Sequence, residues 1–100
     1  MKINGLLMDD QDNVVTCVAE IRKGDQVVYL KDGKQETLEA KEDIPFCHKI
    51  ALVDLPQDGE VVKYGELLGK TRETIEKGHW VSDRNIFSVP RDYELEFVKE

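Results

Sequence analysis

The chain has 100 residues and a formal net charge of −7, with 40% hydrophobic and 35% charged residues. This composition is typical of one globular domain rather than of a disordered segment. The acidic balance argues against binding to nucleic acid or to an anionic membrane, because contact with phosphate groups needs a basic surface. No apolar run approaches the roughly 20 residues that span a bilayer, and the N-terminus holds too little apolar sequence for a signal peptide. We therefore expect a cytoplasmic protein.

The first half of the chain shows strand patterns in close succession. Segments 14–19 and 26–30 are rich in β-branched residues and lack helical spacing. Asp32-Gly33 separates the second of these from the alternating segment 35–40, which predicts a hairpin. Segment 49–53 predicts a further strand that is mostly buried on both faces.

The second half of the chain gives shorter strand signals and weak helix signals. The predicted short strands are 61–62, 67–68, 80–81 and 86–87. Gly65 and Gly69 argue against a helix over 64–72, because each glycine costs about 1 kcal/mol relative to alanine in a helix. Segment 71–77 is expected to form one helical turn before Gly78.

The C-terminal segment 88–100 is predicted to be a strand-like extension, because Tyr93, Leu95 and Phe97 alternate along it. No linker or low-complexity segment divides the chain. The sequence therefore predicts a single domain over residues 1–100, mainly β, with short strands and little helix.

A pattern of eight residues recurs four times. It consists of a leading residue, an aliphatic residue, two turn formers, a residue at a tight bend, two further residues, and Val or Ile. The copies are residues 20–27, 43–50, 54–61 and 74–81. Their repetition predicts a clip of bent strands, although ordinary β-turns remain the alternative. The aliphatic residues that flank the bends form the predicted core, namely Ile21, Ile44, Leu55, Ile75, Val27, Ile50, Val61 and Val81.

The second copy and the residues after it resemble a known family. The matching residues are Asp43-Ile44-Pro45, His48-Lys49-Ile50-Ala51-Leu52, Asp54-Leu55, Gly59-Glu60-Val61, Lys63-Tyr64-Gly65-Glu66 and Leu68-Gly69, with Asp12-Asn13-Val14 before them and Ile75, Gly78, Trp80-Val81 and Asn85 after them. Over roughly residues 10–87 the chain resembles the SAF domain of the altronate and galactarate dehydratases. The resemblance implies a β-clip fold and a role in the dehydration of sugar acids; a related enzyme eliminates sulfite from sulfolactate.

Members of this family carry the domain either within a long chain or as a separate small subunit beside a large one. At 100 residues this chain resembles the small subunit. The resemblance then implies a site that a large catalytic subunit completes, with a divalent metal such as iron as a candidate cofactor of the complete enzyme. The alternative is a non-catalytic module that binds a sugar acid or serves assembly, for example as a homo-oligomer.

Four residues are the predicted site. His48 can act as a base, an acid or a metal ligand, because imidazole titrates near neutrality; the alternative is a turn histidine that bonds to the backbone. Lys49 suits the carboxylate of a substrate, although a solvated lysine at the end of a strand is the simpler interpretation. Tyr64 and Glu66 could place a hydroxyl and a carboxylate in the same cleft, yet Tyr-Gly-Glu is also a good turn sequence.

The other histidine and the cysteines are weaker candidates. His79 is interpreted as a surface residue. A nucleophilic pair of Cys47 and His48 is disfavoured, because adjacent residues in a strand point to opposite faces. Cys17 and Cys47 fit neither a metal spacing nor a disulfide framework, so we expect two free thiols, the first buried in a strand and the second at a turn.

The chain departs from the family pattern at two places. Family members commonly have Gly directly before the histidine, whereas here Phe46 and Cys47 precede His48. Cys tolerates a tight bend less freely than Gly, since only Gly adopts a positive φ without cost. The family often has His-x-His-Asn where this chain has Ser82-Asp83-Arg84-Asn85.

Overall fold

The computed structural model describes residues 2–88, and within them every regular element is a β-strand. The nine strands are β1 Gly5–Leu6, β2 Val14–Cys17, β3 Gln26–Lys31, β4 Lys34–Glu39, β5 Lys49–Ala51, β6 Glu60–Lys63, β7 Glu66–Thr71, β8 Trp80–Val81 and β9 Ile86–Phe87. The predicted mainly-β class is confirmed. None of the described residues belongs to a helix that is long and apolar enough to cross a membrane.

The strands form three small antiparallel sheets. Strands β1, β2, β5 and β8 lie side by side in that order, β3 pairs with β4, and β7 lies between β6 and β9. The β3–β4 pair is the hairpin predicted from Asp32-Gly33, whose φ angles of 52° and 77° are the positive values that a tight hairpin turn requires.

The four-stranded sheet is buried on both faces. One face contributes to a cluster made of Val15, Cys17, Ile21, Val27, Leu38, Ala40, Ile44 and Ile50. The other face contributes to a second cluster made of Val14, Ala51, Leu55, Val61, Ile75 and Val81. All eight residues of the predicted core are at most 3% exposed, which confirms that prediction.

The four copies of the turn pattern adopt the same conformation. In each, the third residue of the turn has a positive φ and the fourth donates its N–H to the carbonyl of the first. The φ angles are 92° at Gly24, 69° at Cys47, 61° at Asp58 and 89° at Gly78, and the hydrogen bonds measure 2.9–3.1 Å. This is the backbone pattern of a type II turn.

The turns are also linked in two pairs. Ile21 and Ile44 exchange backbone hydrogen bonds of 2.8 and 3.0 Å, which joins the first copy to the second. Leu55 and Ile75 do the same at 2.7 and 2.8 Å and join the third copy to the fourth. The bent-strand arrangement expected from the repetition is therefore present.

The structure departs from the sequence-based expectations in two places, and a third expectation falls largely outside the described residues. The prediction of a helical turn over 71–77 is wrong, because Ile75 forms a long-range backbone bridge with Leu55 instead of local helical hydrogen bonds. Strand β1 was not predicted, because two residues are too few to show a period. The strand expected within 88–100 lies almost wholly outside the described residues, which end at residue 88.

Candidate functional site

His48 lies directly after the second bend, and its main chain is fixed to strand β2. Cys47 donates its N–H to the carbonyl of Cys17 at 2.8 Å, and the N–H of Cys17 donates to the carbonyl of His48, also at 2.8 Å. The imidazole ring is half-buried and meets the indole of Trp80 edge-on, with 5.2 Å between ring centroids and 78° between ring planes. The indole Nε1–H of Trp80 donates to Nδ1 of His48 at 3.1 Å.

The main chain of Trp80 is held from both sides. Oε2 of Glu42 accepts the backbone N–H of Trp80 at 3.1 Å and lies 2.8 Å from Nδ1 of His79. The side-chain amide of Asn85 donates to the carbonyl of Trp80 at 2.7 Å, while its oxygen accepts the N–H of Ser82 at 2.8 Å. Both histidines of the chain are therefore connected through Trp80.

Lys49 lies on the opposite face of the sheet from His48. Residues that are directly opposite in an antiparallel pair share one face. Ile50 pairs with Trp80, whose ring contacts His48, whereas Lys49 pairs with Val81 and points the other way. Burial lowers the pKa of Lys49, and the nearby charge of Lys63 lowers that pKa further, against an opposing effect from Asp83.

Tyr64 and Gly65 form the hairpin turn between β6 and β7. Their φ angles are 58° and 71°. The buried carboxylate of Asp12 accepts the N–H of Tyr64 at 3.0 Å and that of Gly65 at 2.8 Å, which explains why this turn is stable without a glycine at its first position. The Tyr64 ring is exposed and lies 5.3 Å from Nζ of Lys63, and exposed Glu66 is opposite Lys63 in the backbone register of β6 and β7.

The structure thus brings three predicted residues into one region and leaves the fourth apart. Lys63 lies against Tyr64 and opposite Glu66, and its charge acts on the pKa of Lys49, while His48 belongs to the Trp80 network on the other face. Sequence reasoning missed Lys63, Glu42 and Trp80 as partners of these residues. Lys63 and Trp80 stood within the family-like motifs and could have been noticed there; no sequence signal marks Glu42.

The cysteines are both free, and their environments differ as predicted. Cys47 is exposed at the bend. Cys17 is buried in β2, and this burial raises the pKa of its thiol to about 11. Cys17 is therefore chemically inert at neutral pH, whereas Cys47 is accessible to reagents.

The side chains of residues 2–88 do not fit a resident metal ion. No three His, Cys, Asp or Glu residues in this range gather as ligands. Ser82 and Arg84 stand where the family pattern often has histidines, and Nδ1 of His48 is already engaged by Trp80.

A surface cavity of about 230 Å³ lies beside His79. Its lining residues are Glu42, Glu73, Thr74, Ile75, Glu76, His79 and Asn85. Three glutamates give the cavity a negative potential that opposes the entry of a carboxylate. It is therefore a poor place for an acid substrate.

Residues 3–89 match the family model described as the altronate/galactarate dehydratase SAF domain. The chain belongs to this family. The resemblance found in the sequence is confirmed, and the turn that carries His48 and the turn that carries Tyr64 are elements of this SAF domain.

The relatives of this chain fall into two size classes, long dehydratases and a short subunit. The chain is 37% identical over 76 residues to galactarate dehydratase (L-threo-forming) of Escherichia coli strain K12, and 31% identical over 85 residues to altronate dehydratase of Bacillus subtilis strain 168. These alignments cover 74% and 85% of this chain but only 13% and 16% of the dehydratases. It is also 32% identical over 89 residues to (2R)-sulfolactate sulfo-lyase subunit alpha of Chromohalobacter salexigens, which covers 86% of this chain and 95% of that subunit.

Proposed function

We propose that this chain is the small subunit of an altronate/galactarate-type sugar-acid dehydratase, a carbon–oxygen lyase, and that it contributes His48 to an active site completed by a larger catalytic subunit. Its correspondence with 95% of a relative that is named as a subunit supports this assignment. The two free cysteines support a reducing compartment such as the cytoplasm.

The observation that carries the proposal is the state of the His48 ring. Nδ1 is held by Trp80, and Nε2 has no hydrogen-bond partner within residues 2–88. A half-buried ring that is fixed on one side and unoccupied on the other is suited to contact a substrate or the larger subunit. The orientation of such a ring is set before the ligand arrives, which lowers the cost of binding.

The elimination of water from a hydroxy acid needs three kinds of group. A base removes the proton next to the carboxylate, positive charge or hydrogen-bond donors stabilise the resulting enolate, and an acid assists the departing hydroxyl. His48 is assigned to contact with the reacting part of the substrate. Lys49, Tyr64 and Glu66 form a separate candidate for recognition of the substrate's polar groups, because Lys49 lies on the opposite face of the sheet from His48 and, with Lys63, puts positive charge on an otherwise acidic protein.

The test is co-expression of this chain with a large dehydratase subunit from the same organism, followed by assays of the purified complex on altronate, galactarate and (2R)-sulfolactate. We expect His48→Ala to lower kcat by about 100-fold or more, the usual effect of losing a group that acts in proton transfer or charge stabilisation. If the face that carries Lys49 binds the substrate, Lys49→Met should mainly raise KM, by about 10- to 100-fold, because a charged hydrogen bond is worth about 1.5–3 kcal/mol. Lys34→Met, at the exposed start of β4, is the matched charge control and should leave both constants unchanged.

Two results would contradict the proposal separately. Full activity of the His48→Ala complex would remove His48 from the reaction. A complex that assembles but consumes none of the three acids would refute the subunit function. If only (2R)-sulfolactate is consumed, the chain is a sulfo-lyase subunit rather than a dehydratase subunit.

The replacement of the family's histidines by Ser82 and Arg84 favours a second candidate function, a non-catalytic module that binds a sugar acid or serves assembly. Calorimetry of the isolated chain with hexonates distinguishes the two. Binding by the lone chain supports the module, whereas heat that develops only after the larger subunit is added supports the lyase subunit. A stable homo-oligomer that binds no acid would indicate a purely structural role.

A further inference from the structure

We propose that Trp80 is a positioning residue that selects the tautomer of His48, so that the neutral ring meets its ligand as a hydrogen-bond donor through Nε2 and not as a base. The tautomer is independent of the proposed function. Its catalytic consequence rests on that function.

A single hydrogen bond joins the indole of Trp80 to the imidazole of His48. An indole N–H can only donate a hydrogen bond. Nδ1 of His48 lies 3.1 Å from Nε1 of Trp80 and must therefore present its lone pair. A neutral imidazole carries one hydrogen, and the bond made at one nitrogen decides which nitrogen carries it. The hydrogen of neutral His48 consequently lies on Nε2.

The main chains that carry the two rings are held in place by hydrogen bonds. Glu42 and Asn85 fix the N–H and the carbonyl of Trp80, and the side chain of Trp80 packs against the cluster that contains Ile50. The main chain of His48 is tied to Cys17 by the hydrogen bonds on either side of the bend. With both main chains held, the two rings can separate only by side-chain rotation, which breaks the bond between Nε1 and Nδ1 and removes the indole from its packing against the cluster.

The tautomer of His48 determines which role this residue can have in the elimination of water. A neutral Nε2–H has no lone pair with which to remove a proton, so the base must come from the larger subunit. That base takes the proton next to the carboxylate, the C–H electron pair forms the enolate, and a carboxylate oxygen that gains negative charge accepts the hydrogen bond of His48. The enolate electrons then expel the hydroxyl, which leaves as water with a proton from an acid of the larger subunit. His48 stabilises charge and keeps its proton throughout.

His79 provides an internal control for the tautomer. Its Nδ1 lies 2.8 Å from a carboxylate oxygen of Glu42, which can only accept a hydrogen bond, so Nδ1 of His79 must carry a hydrogen. In the neutral form the two histidines of this chain are therefore expected to be opposite tautomers. Both can be observed in one sample.

The experiment is ¹⁵N NMR of the full chain labelled at histidine, at a pH where both rings are neutral. In the wild type we expect the one-bond ¹⁵N–¹H coupling at Nε2 of His48 and at Nδ1 of His79. Trp80→Phe keeps an aromatic ring but removes the indole donor, and should cause His48 to lose its fixed tautomer while His79 keeps its own. A hydrogen on Nδ1 of His48 in the wild type would overturn the proposal, as would a His48 signal that Trp80→Phe leaves unchanged.

A kinetic measurement in the complex tests the catalytic consequence. Gln can donate a hydrogen bond but cannot act as a base near neutral pH. We expect His48→Gln to retain at least tenfold more kcat than His48→Ala, with little difference in KM. Equal loss in the two variants would refute the donor role, even if NMR verifies the tautomer. An inactive wild-type complex would instead refute the proposed function and leave the NMR result to decide the tautomer.

Discussion

The four equivalent bends allow the cost of a left-handed residue to be measured within one protein. Gly24 and Gly78 occupy the same turn position with φ angles of 92° and 89°. A Cβ added at Gly24 would meet nothing within 4 Å, whereas one at Gly78 would lie 2.7 Å from the carbonyl oxygen of Glu39 and 2.8 Å from Cγ of Lys41. The substitutions Gly24→Ala and Gly78→Ala therefore share the backbone strain and differ in the steric contact.

The magnitudes follow from these two effects. An alanine forced into the left-handed region costs about 1–2 kcal/mol, of which about 0.4–1 kcal/mol is offset by the lower entropy of the unfolded chain. Gly24→Ala should thus lower the free energy of unfolding by about 1 kcal/mol, or Tm by about 4–8 °C. Gly78→Ala adds displacement of a backbone oxygen, which costs about 1–3 kcal/mol more.

At the second bend a non-glycine residue can be replaced by glycine, the reverse of the two Gly→Ala substitutions. Cys47 has a φ of 69°, and its side chain is exposed. Cys47→Gly should relieve the strain and raise the free energy of unfolding by about 0.5–1 kcal/mol, after the entropy that glycine adds to the unfolded chain. The bend would then match the glycine of the family pattern.

Urea and thermal unfolding followed by circular dichroism measure all three variants. We expect the order Cys47→Gly, wild type, Gly24→Ala, Gly78→Ala, from most to least stable. If Gly78→Ala is no worse than Gly24→Ala, the close approach of the Glu39 carbonyl is refuted. If Cys47→Gly lowers the stability, the left-handed conformation at this bend is not a source of strain.

Three further predictions concern side chains. Asp12→Ala should lower the free energy of unfolding in urea by at least about 3 kcal/mol, because three backbone N–H groups lose a carboxylate partner; a loss below about 1 kcal/mol would refute this. Iodoacetamide at pH 8 should modify Cys47 and leave Cys17 unmodified until the chain unfolds, since burial raises the pKa of Cys17 to about 11; mass spectrometry that finds equal labelling would contradict it. Folding lowers the pKa of Lys49 from 10.5, so the unfolded chain binds more protons just below pH 10.5 and the wild type gains stability as the pH rises towards that value. Lys49→Met should be more stable than the wild type at pH 7 and should lack this gain, whereas parallel urea midpoints from pH 7 to 10 would be evidence against it.

The features that could be predicted from the sequence are local ones. A bend that recurs with the same spacing reveals itself through Gly, Asp and Pro, and the aliphatic residues beside it, such as Ile21 and Val27, must then face the interior. The pairing of β3 with β4 could be predicted for the same reason, because one two-residue turn determines the register of both strands.

The features that could not be predicted depend on contacts between distant parts of the chain. The backbone N–H of Trp80 donates to Glu42, which is 38 residues away in the sequence, and that of Tyr64 donates to Asp12, which is 52 residues away. Neither carboxylate belongs to a periodic pattern. The helical turn expected at 71–77 failed in the same way, because Leu55 supplies hydrogen bonds that local propensity does not consider. The opposite orientation of His48 and Lys49, in contrast, follows from the alternation of strand residues and could have been inferred.

The contact between Trp80 and His48 also gives the protein an optical reporter of its own. Trp80 is the single tryptophan of the chain, so the indole emission comes from one known position. Its N–H and ring edge both touch the imidazole. A ligand or subunit that reaches His48 must change the surroundings of this fluorophore, and the change in intensity or emission maximum can be titrated without any label. In the isolated chain, a change in this emission on addition of a candidate acid would support the second candidate function, a module that binds without the larger subunit.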